Sequence, residues 1–156
     1  PGNGGGGGLL GEYYDNPSLS GTPVLQRVDP RVFFDWTKPG LDSAEAITLT
    51  KGRDVSIRWT GLLKAPVSDT FAFKLAADDS ARLYLDDRLV ASTALDDASQ
   101  SIGENPLVAG TLYKIRVEYV QREGAASISL QWQSARTPPQ LIPPFYLYPY
   151  AKPVRG

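Results

Sequence analysis

The amino-acid sequence predicts an all-β fold, an antiparallel β-sandwich with an extended segment at each end. The first observation is that apolar and polar residues alternate with a period of two in five separate segments, which is typical of strands with one buried face. The second is that turn-forming residues separate several of these segments. The third is that no stretch keeps a helical period of apolar residues. Together these patterns favour two antiparallel sheets packed face to face.

The alternating segments occupy residues 53–63, 70–77, 81–85, 113–120 and 126–133. In each of them, large apolar side chains recur at every second position, and we expect these side chains on the buried faces of the sheets. They are Val55, Ile57 and Trp59 in the first segment, Phe71, Phe73 and Leu75 in the second, Leu83 and Leu85 in the third, Ile115, Val117 and Tyr119 in the fourth, and Ile128, Leu130 and Trp132 in the fifth.

The connections between the segments carry turn residues. Asp86, Asp87 and Arg88 follow a five-residue strand and predict a tight turn. Residues 121–125, with the sequence QREGA, join two alternating segments and predict a hairpin loop with glycine at a strained position. Residues 93–106 are polar and show no period, so we interpret them as one long loop.

Two unusual segments flank the predicted sandwich of residues 9–136. Residues 1–8, PGNGGGGG, predict a flexible linker, or an arm that becomes ordered by docking on a neighbouring surface such as another copy of the chain. Residues 137–156 hold six of the 13 prolines and three of the eight tyrosines. Proline removes donors from a strand ladder, so we expect this segment to lie extended along the domain or on a neighbour rather than inside a sheet.

The composition excludes several classes of function. The chain of 156 residues has no cysteine and no histidine, which excludes Ser-His-Asp, Cys-His and zinc-hydrolase chemistry. Chemistry by carboxylates alone stays open, but no pair of acids is marked for it, so we predict a protein that is not an enzyme. A formal net charge of −1 argues against nucleic-acid binding, and the lack of a long apolar run argues against membrane insertion.

Several motifs resemble one known family. They are GLLGEYYDN at 8–16, SGTPVL and VDPRVFFDW within 20–36, the run from Ser56 to Val90, and AGTLYKIRVEYVQREGAASISLQWQ at 109–133. Together they resemble the fourteen-kilodalton domain of anthrax protective antigen, a module shared with yeast flocculins and adhesins and with bacterial glycosidases. The resemblance covers roughly residues 8–148. It implies a β-sandwich of the protective-antigen-domain type and an extracellular location, secreted or at the cell surface.

The resemblance also implies a site. In the flocculins and adhesins, two adjacent aspartates joined by a cis peptide bond hold one calcium ion that binds sugar hydroxyls, and the matching pair here is Asp78 and Asp79. Further ligands come from a later loop, which corresponds here to residues 121–125. Glu123 is the candidate third metal ligand, and Gln121 and Arg122 are candidate ligand-binding residues. The alternative is that Arg122, whose guanidinium would repel calcium, pairs with Asp78 or Asp79 instead.

Other residues have a structural interpretation beside a functional one. Asp86-Asp87 and Asp96-Asp97 are predicted to form turns and loops rather than a binding site. Trp59 and Trp132 fall in phase with buried residues and are predicted to belong to the core rather than to stack on sugars, whereas the role of Trp36 stays open. Tyr13 and Tyr14 are adjacent, so one is expected to face inward and the other outward.

Three functions are compatible with these features. The first is a non-catalytic extracellular module that binds carbohydrate through calcium, with a glycan on a cell surface or matrix as its partner. The second is a structural subunit of an extracellular filament or surface layer that self-associates through residues 1–8 and 137–156. The third is an accessory domain of a larger glycosidase or toxin.

Overall fold

The computed structural model describes residues 6–35, 54–93, 100–122 and 127–149. Over these ranges the chain forms twelve β-strands and one short 3-10 helix, Pro144–Tyr146. The strands are β1 Leu9–Tyr14, β2 Leu25–Asp29, β3 Phe33–Asp35, β4 Val55–Lys64, β5 Asp69–Asp78, β6 Ser80–Leu85, β7 Arg88–Ser92, β8 Gln100–Leu107, β9 Leu112–Gln121, β10 Ser127–Ser134, β11 Thr137–Leu141 and β12 Leu147–Pro149.

The strands form two antiparallel sheets. The seven-stranded sheet has the order β2-β1-β4-β9-β6-β7, with β12 also paired to β4. The five-stranded sheet has the order β11-β10-β5-β8, with β3 also paired to β10. The inner faces of the two sheets enclose one hydrophobic core, so the predicted β-sandwich is confirmed.

The predicted buried face is confirmed in all five alternating segments. Every apolar side chain assigned to it is at most 3% exposed, and the two largest, Trp59 and Trp132, are 0% and 1% exposed. Ser56, on the opposite face of β4, is nevertheless fully buried. Its hydroxyl donates to the Asn16 carbonyl at 2.7 Å and accepts from the Leu19 N–H at 2.9 Å. The segment after β1 therefore covers this end of the outer face.

The two adjacent tyrosines face opposite sides of β1, as predicted. Tyr13 points into the core and Tyr14 to the other face, but both are buried. The Arg58 guanidinium lies 5.9 Å from the centre of the Tyr14 ring and covers it. The alternation of a strand fixes which face a side chain takes, whereas long neighbours on that face decide whether it meets water.

The prediction of one long loop over residues 93–106 is wrong in its second half, because residues 100–107 form β8 and pair with β5. This strand inverts the usual pattern. The polar residues Ser101 and Asn105 are buried, whereas Ile102 is 60% exposed. Pro106 is tolerated because β8 is an edge strand, which needs fewer ladder donors than a central one.

Residues 6–8 and 137–149, the described parts of the two flanking segments, join the sandwich. Strand β11 is an edge strand of the five-stranded sheet, and β12 adds to the seven-stranded sheet. The backbone N–H groups of Gly6, Gly7 and Gly8 donate to carbonyls of the segment 144–147 at 2.8–3.2 Å. A Cβ at Gly6 would lie 1.5 Å from the Leu147 carbonyl oxygen, so only glycine allows this approach. Residues 6–8 therefore dock on their own chain.

Candidate functional site

Asp78 and Asp79 lie where the chain crosses from one sheet to the other. Strand β5 of the five-stranded sheet ends at Asp78, and β6 of the seven-stranded sheet begins at Ser80. The peptide bond between the two aspartates is cis, as the resemblance implies. The side chains of the two aspartates hydrogen-bond to each other where β5 ends and β6 begins, so the pair stands together at one end of the sandwich.

The two carboxyl groups interact directly. The pKa of Asp78 is raised above its ordinary value by partial burial, by a hydrogen bond with the Asp79 side chain, and by the negative charge of Asp79. Burial and a neighbouring negative charge both disfavour the ionised form of a carboxyl. The geometry thus concentrates negative charge at this end of the protein, which is the electrostatic requirement for binding a cation.

Hydrogen bonds from β9 and from the residue that follows it hold the aspartate pair in place. The Tyr119 hydroxyl donates to the backbone carbonyl oxygen of Asp78 at 2.6 Å, and the Arg122 backbone N–H donates to Asp79 Oδ2 at 2.6 Å. Burial, followed by the charges of Asp79 and Asp78, raises the pKa of Tyr119, so this hydroxyl keeps its proton. Sequence reasoning placed Tyr119 in the core and missed this contact, although a buried tyrosine hydroxyl needs a partner.

The candidate residues of the later loop take different places. Gln121 is fully buried, with its amide oxygen 3.3 Å from the Tyr119 hydroxyl. Its side chain therefore supports Tyr119 and is not at the surface to meet a ligand. Arg122 is exposed, and its contact with Asp79 is made by the backbone rather than by the predicted guanidinium pair. Glu123, Trp36 and Asp96-Asp97 lie outside the described residues.

Asp78 and Asp79 supply some, but not all, of the oxygen ligands that a calcium ion needs. Calcium takes roughly 6–8 oxygen ligands, and two carboxylates supply at most four oxygens. Within the described ranges, no group of three or more acidic side chains could hold a metal ion. Asp78 and Asp79 would therefore hold calcium only together with backbone carbonyls, with Glu123, or with hydroxyl groups of a bound molecule.

The second acidic pair forms the turn that was predicted for it. Asp86 and Asp87 connect β6 and β7 with φ angles of 50° and 66°, a left-handed conformation that aspartate tolerates well. Asp86 accepts a hydrogen bond from the Lys114 backbone N–H at 2.8 Å. The Asp87 carboxylate pairs with the side chains of Lys114 at 2.8 Å and Arg116 at 3.1 Å.

A family profile described as PA14 domain matches residues 5–144 of the chain. Among curated proteins, the chain is 36% identical over 149 residues to a protein named anti-sigma-I factor RsgI3 from Acetivibrio thermocellus. That match covers 94% of this chain and 22% of the relative, so the chain spans about a fifth of the relative's length. In the described part of the chain, no helix is long and apolar enough to cross a membrane.

Two solved structures illustrate the structural similarity. An anti-sigma factor domain-containing protein from Clostridium clariflavum matches with a TM-score of 0.76 and 29% identity, over 96% of this chain and 49% of that one. The Epithelial Adhesin 6 A domain from Candida glabrata, solved in complex with Galb1-3GlcNAc, matches with a TM-score of 0.74 over 95% of this chain and 89% of the adhesin. At 17% identity, the likeness to the adhesin shows the fold alone.

Proposed function

This chain belongs to the PA14 domain family, and from that premise we propose that it is an extracellular binding module that recognises carbohydrate through a calcium ion held by Asp78 and Asp79. The observation that carries the proposal is the direct contact between the two carboxyl groups. An adhesin of the same fold is bound to the disaccharide Galb1-3GlcNAc, which supports a glycan as the ligand class.

The residues around the pair have supporting roles in this proposal. Tyr119 and the Arg122 backbone hold the Asp78 carbonyl and the Asp79 carboxylate in place. A bound calcium ion supplies positive charge between the carboxylates and positions for sugar hydroxyls. Affinity for a single sugar is expected to be weak, and presentation of several sugars together would raise it. No step of this function needs a catalytic group.

We expect excess calcium to raise the melting temperature of the purified domain. At about 100 times the dissociation constant, a ligand of the folded state adds about 2.7 kcal/mol, or roughly 5–10 °C for a chain of this size. Asp78→Asn and Asp79→Asn should abolish the rise, whereas Asp87→Asn, at an exposed acidic turn, should keep it. With chelator at pH 7, Asp78→Asn should melt slightly above the wild type, because the repulsion between the carboxylates is removed.

The calcium proposal is wrong if calcium leaves the wild-type melting temperature unchanged, or if the rise persists in both asparagine variants. The glycan part is tested separately, by titrating Galb1-3GlcNAc displayed on a multivalent carrier in calcium and in chelator. Binding that depends on calcium and on Asp79 supports the proposal. Calcium binding without any response to immobilised glycans would leave a metal site that serves some other purpose.

The pH dependence follows from the Asp78 carboxyl. Its pKa is raised in the folded protein, so without calcium its contribution to stability is complete below about pH 4 and is lost as the pH rises through the raised pKa. Calcium needs the ionised form, so calcium affinity should fall as the pH drops through the same value. Calcium titrations between pH 4 and 7 measure this, and an affinity independent of pH over that range would contradict it.

A second candidate function is sensing, which the anti-sigma-I factor relative favours. In a chain of that kind, sugar binding would be the input to regulation of a sigma factor. Self-assembly through the flanking segments stays a prediction. If self-assembly occurs, deletion of residues 1–8 should abolish association of the chains. Residues 6–8 also have a role within one domain, because they hydrogen-bond to residues 144–147.

A further inference from the structure

The outer face of the seven-stranded sheet contains a cavity of about 400 Å³ that is separate from the aspartate pair. Its lining includes Leu10, Thr60, Leu62, Tyr84, Lys114 and Arg116. Asp79 directly precedes β6 and Tyr84 lies five residues further along the chain, which corresponds to roughly 16 Å at the rise of an extended strand. The volume lies within the range of roughly 300–1,000 Å³ that small-molecule sites occupy.

Strand register explains why these side chains meet. Leu10, Thr60, Arg116 and Tyr84 are successive cross-strand neighbours on β1, β4, β9 and β6. Side chains in such a row stand about 4.5–5.5 Å apart on one face of the sheet. Leu62 and Lys114 form the next row of the same face. The cavity is therefore built on rigid strands rather than on loops.

The wall of the cavity is fixed before any ligand arrives. The Arg116 guanidinium lies 4.1 Å from the centre of the Tyr84 ring. It is also held by Asp87 at 3.1 Å and Glu118 at 3.1 Å. A planar cation stacked on an aromatic ring and held by two carboxylates loses little freedom when it donates a further hydrogen bond.

The side chains that line the cavity indicate which class of ligand it would bind. Leu10 and Leu62 are partly exposed and offer an apolar floor. The charges that line the cavity are Glu12, Asp87, Lys114 and Arg116, two negative and two positive, so the site as a whole is electrically balanced. A balanced site favours an uncharged occupant that combines apolar faces with many hydroxyl groups, because an ionic occupant would meet like charges at close range.

We propose that this sheet face is a second carbohydrate-binding site, which takes a segment of a neutral polysaccharide without calcium. The C–H faces of sugar rings would lie on Leu10 and Leu62, and the hydroxyl groups would meet Thr60, Lys114 and Arg116. The site goes beyond the calcium proposal and does not depend on it, since neither Asp78 nor Asp79 lines the cavity.

The test is a titration of the isotopically labelled domain with cellohexaose and with xylohexaose, in chelator, followed by NMR. We expect shifts of the amide signals of Thr60, Leu62 and Tyr84 with weak affinity. Thr60→Arg, which fills the cavity without removing a core atom, should weaken binding about tenfold or more, as should Tyr84→Ala. Phe33→Ala removes an exposed aromatic ring elsewhere and serves as the matched control. Thermal unfolding of each variant checks that it is folded.

Several results would overturn the proposal. One is the absence of shifts with either oligosaccharide, and another is a set of shifts that requires calcium and is lost in Asp79→Asn, which would leave only the aspartate site. Tighter binding of an oligogalacturonide would show that the balance of charge does not select the ligand. Concentration-dependent shifts on this face without sugar would show that a second copy of the chain occupies it.

Discussion

Replacing Asp29 with alanine is expected to lower the free energy of unfolding by about 3–5 kcal/mol, a large part of the stability of a domain of this size. Asp29 ends β2 and is only 4% exposed. Its carboxylate accepts hydrogen bonds from the Tyr13 hydroxyl at 2.5 Å and from Trp59 Nε1 at 2.8 Å. Arg27 Nε completes the set at 2.8 Å.

The size of the effect comes from what the substitution leaves behind. Without the carboxylate, the buried Trp59 N–H and Tyr13 O–H lose their acceptor, and each unsatisfied buried group costs about 1–3 kcal/mol. Arg27 loses its ion pair as well, although its half-buried guanidinium can reach water. The network also fixes β2 against β1 and β4, because its members come from all three strands.

Urea denaturation followed by tryptophan fluorescence measures the effect directly. The control is Asp87→Asn, which removes a carboxylate with two ion pairs that is 61% exposed. Exposed pairs contribute about 0–1 kcal/mol, so this variant should unfold near the wild-type midpoint. Equal losses for the two variants would contradict the assignment of Asp29 as the centre of a buried network.

The fold was predictable because the large side chains alternate. Trp59, Phe73 and Leu130 lie on the core face as the period of two requires. Motif likeness then indicated the family, which the matching PA14 profile confirms. Strand β8 escaped prediction for a physical reason. Its buried positions hold Ser101 and Asn105, so hydrophobic patterning gives no signal for it.

The site was only partly predictable. Asp78 and Asp79 were indicated by likeness to the adhesins, and their cis bond is present. The hydrogen bond from Tyr119 to the Asp78 carbonyl was not predictable, because the sequence assigns an inward-facing tyrosine to the core and does not show the partner of its hydroxyl. Asp29 gave no signal either. Nothing in the local sequence shows that a carboxylate at the end of β2 meets a tryptophan thirty residues away.

The cavity on the sheet face depends on neighbours that are far apart in sequence. Thr60, Arg116 and Tyr84 alternate correctly with buried residues, so the sequence assigns each one to an outer face. It does not say that β4, β9 and β6 are adjacent and in this register. A concave binding surface arises only from that order of strands, which is a property of the topology rather than of any single segment.

The Trp132→Ala variant decides between a core role and a sugar-stacking role for the second buried tryptophan. We expect it to lower the free energy of unfolding by about 3–5 kcal/mol, as is usual when a large aromatic side chain is removed from a core. The Trp132 ring lies 4.8 Å from that of Phe71 and 5.8 Å from that of Tyr146, measured between centres. Its Nε1 donates to the Gln140 side chain at 3.0 Å.

The contacts of Trp132 also predict where the loss should spread. Tyr146 ends the short helix Pro144–Tyr146. Carbonyl groups of this helix and of Leu147, the residue after it, accept hydrogen bonds from the N–H groups of residues 6–8. Weakening the contact between Trp132 and Tyr146 should therefore speed amide hydrogen exchange in residues 6–8, while the amides of β6 keep their rank in protection. Phe145→Ala, at a side chain that is 55% exposed, should cost less than about 1 kcal/mol. A Trp132→Ala protein that keeps its stability but loses sugar binding would instead place this ring in a binding site.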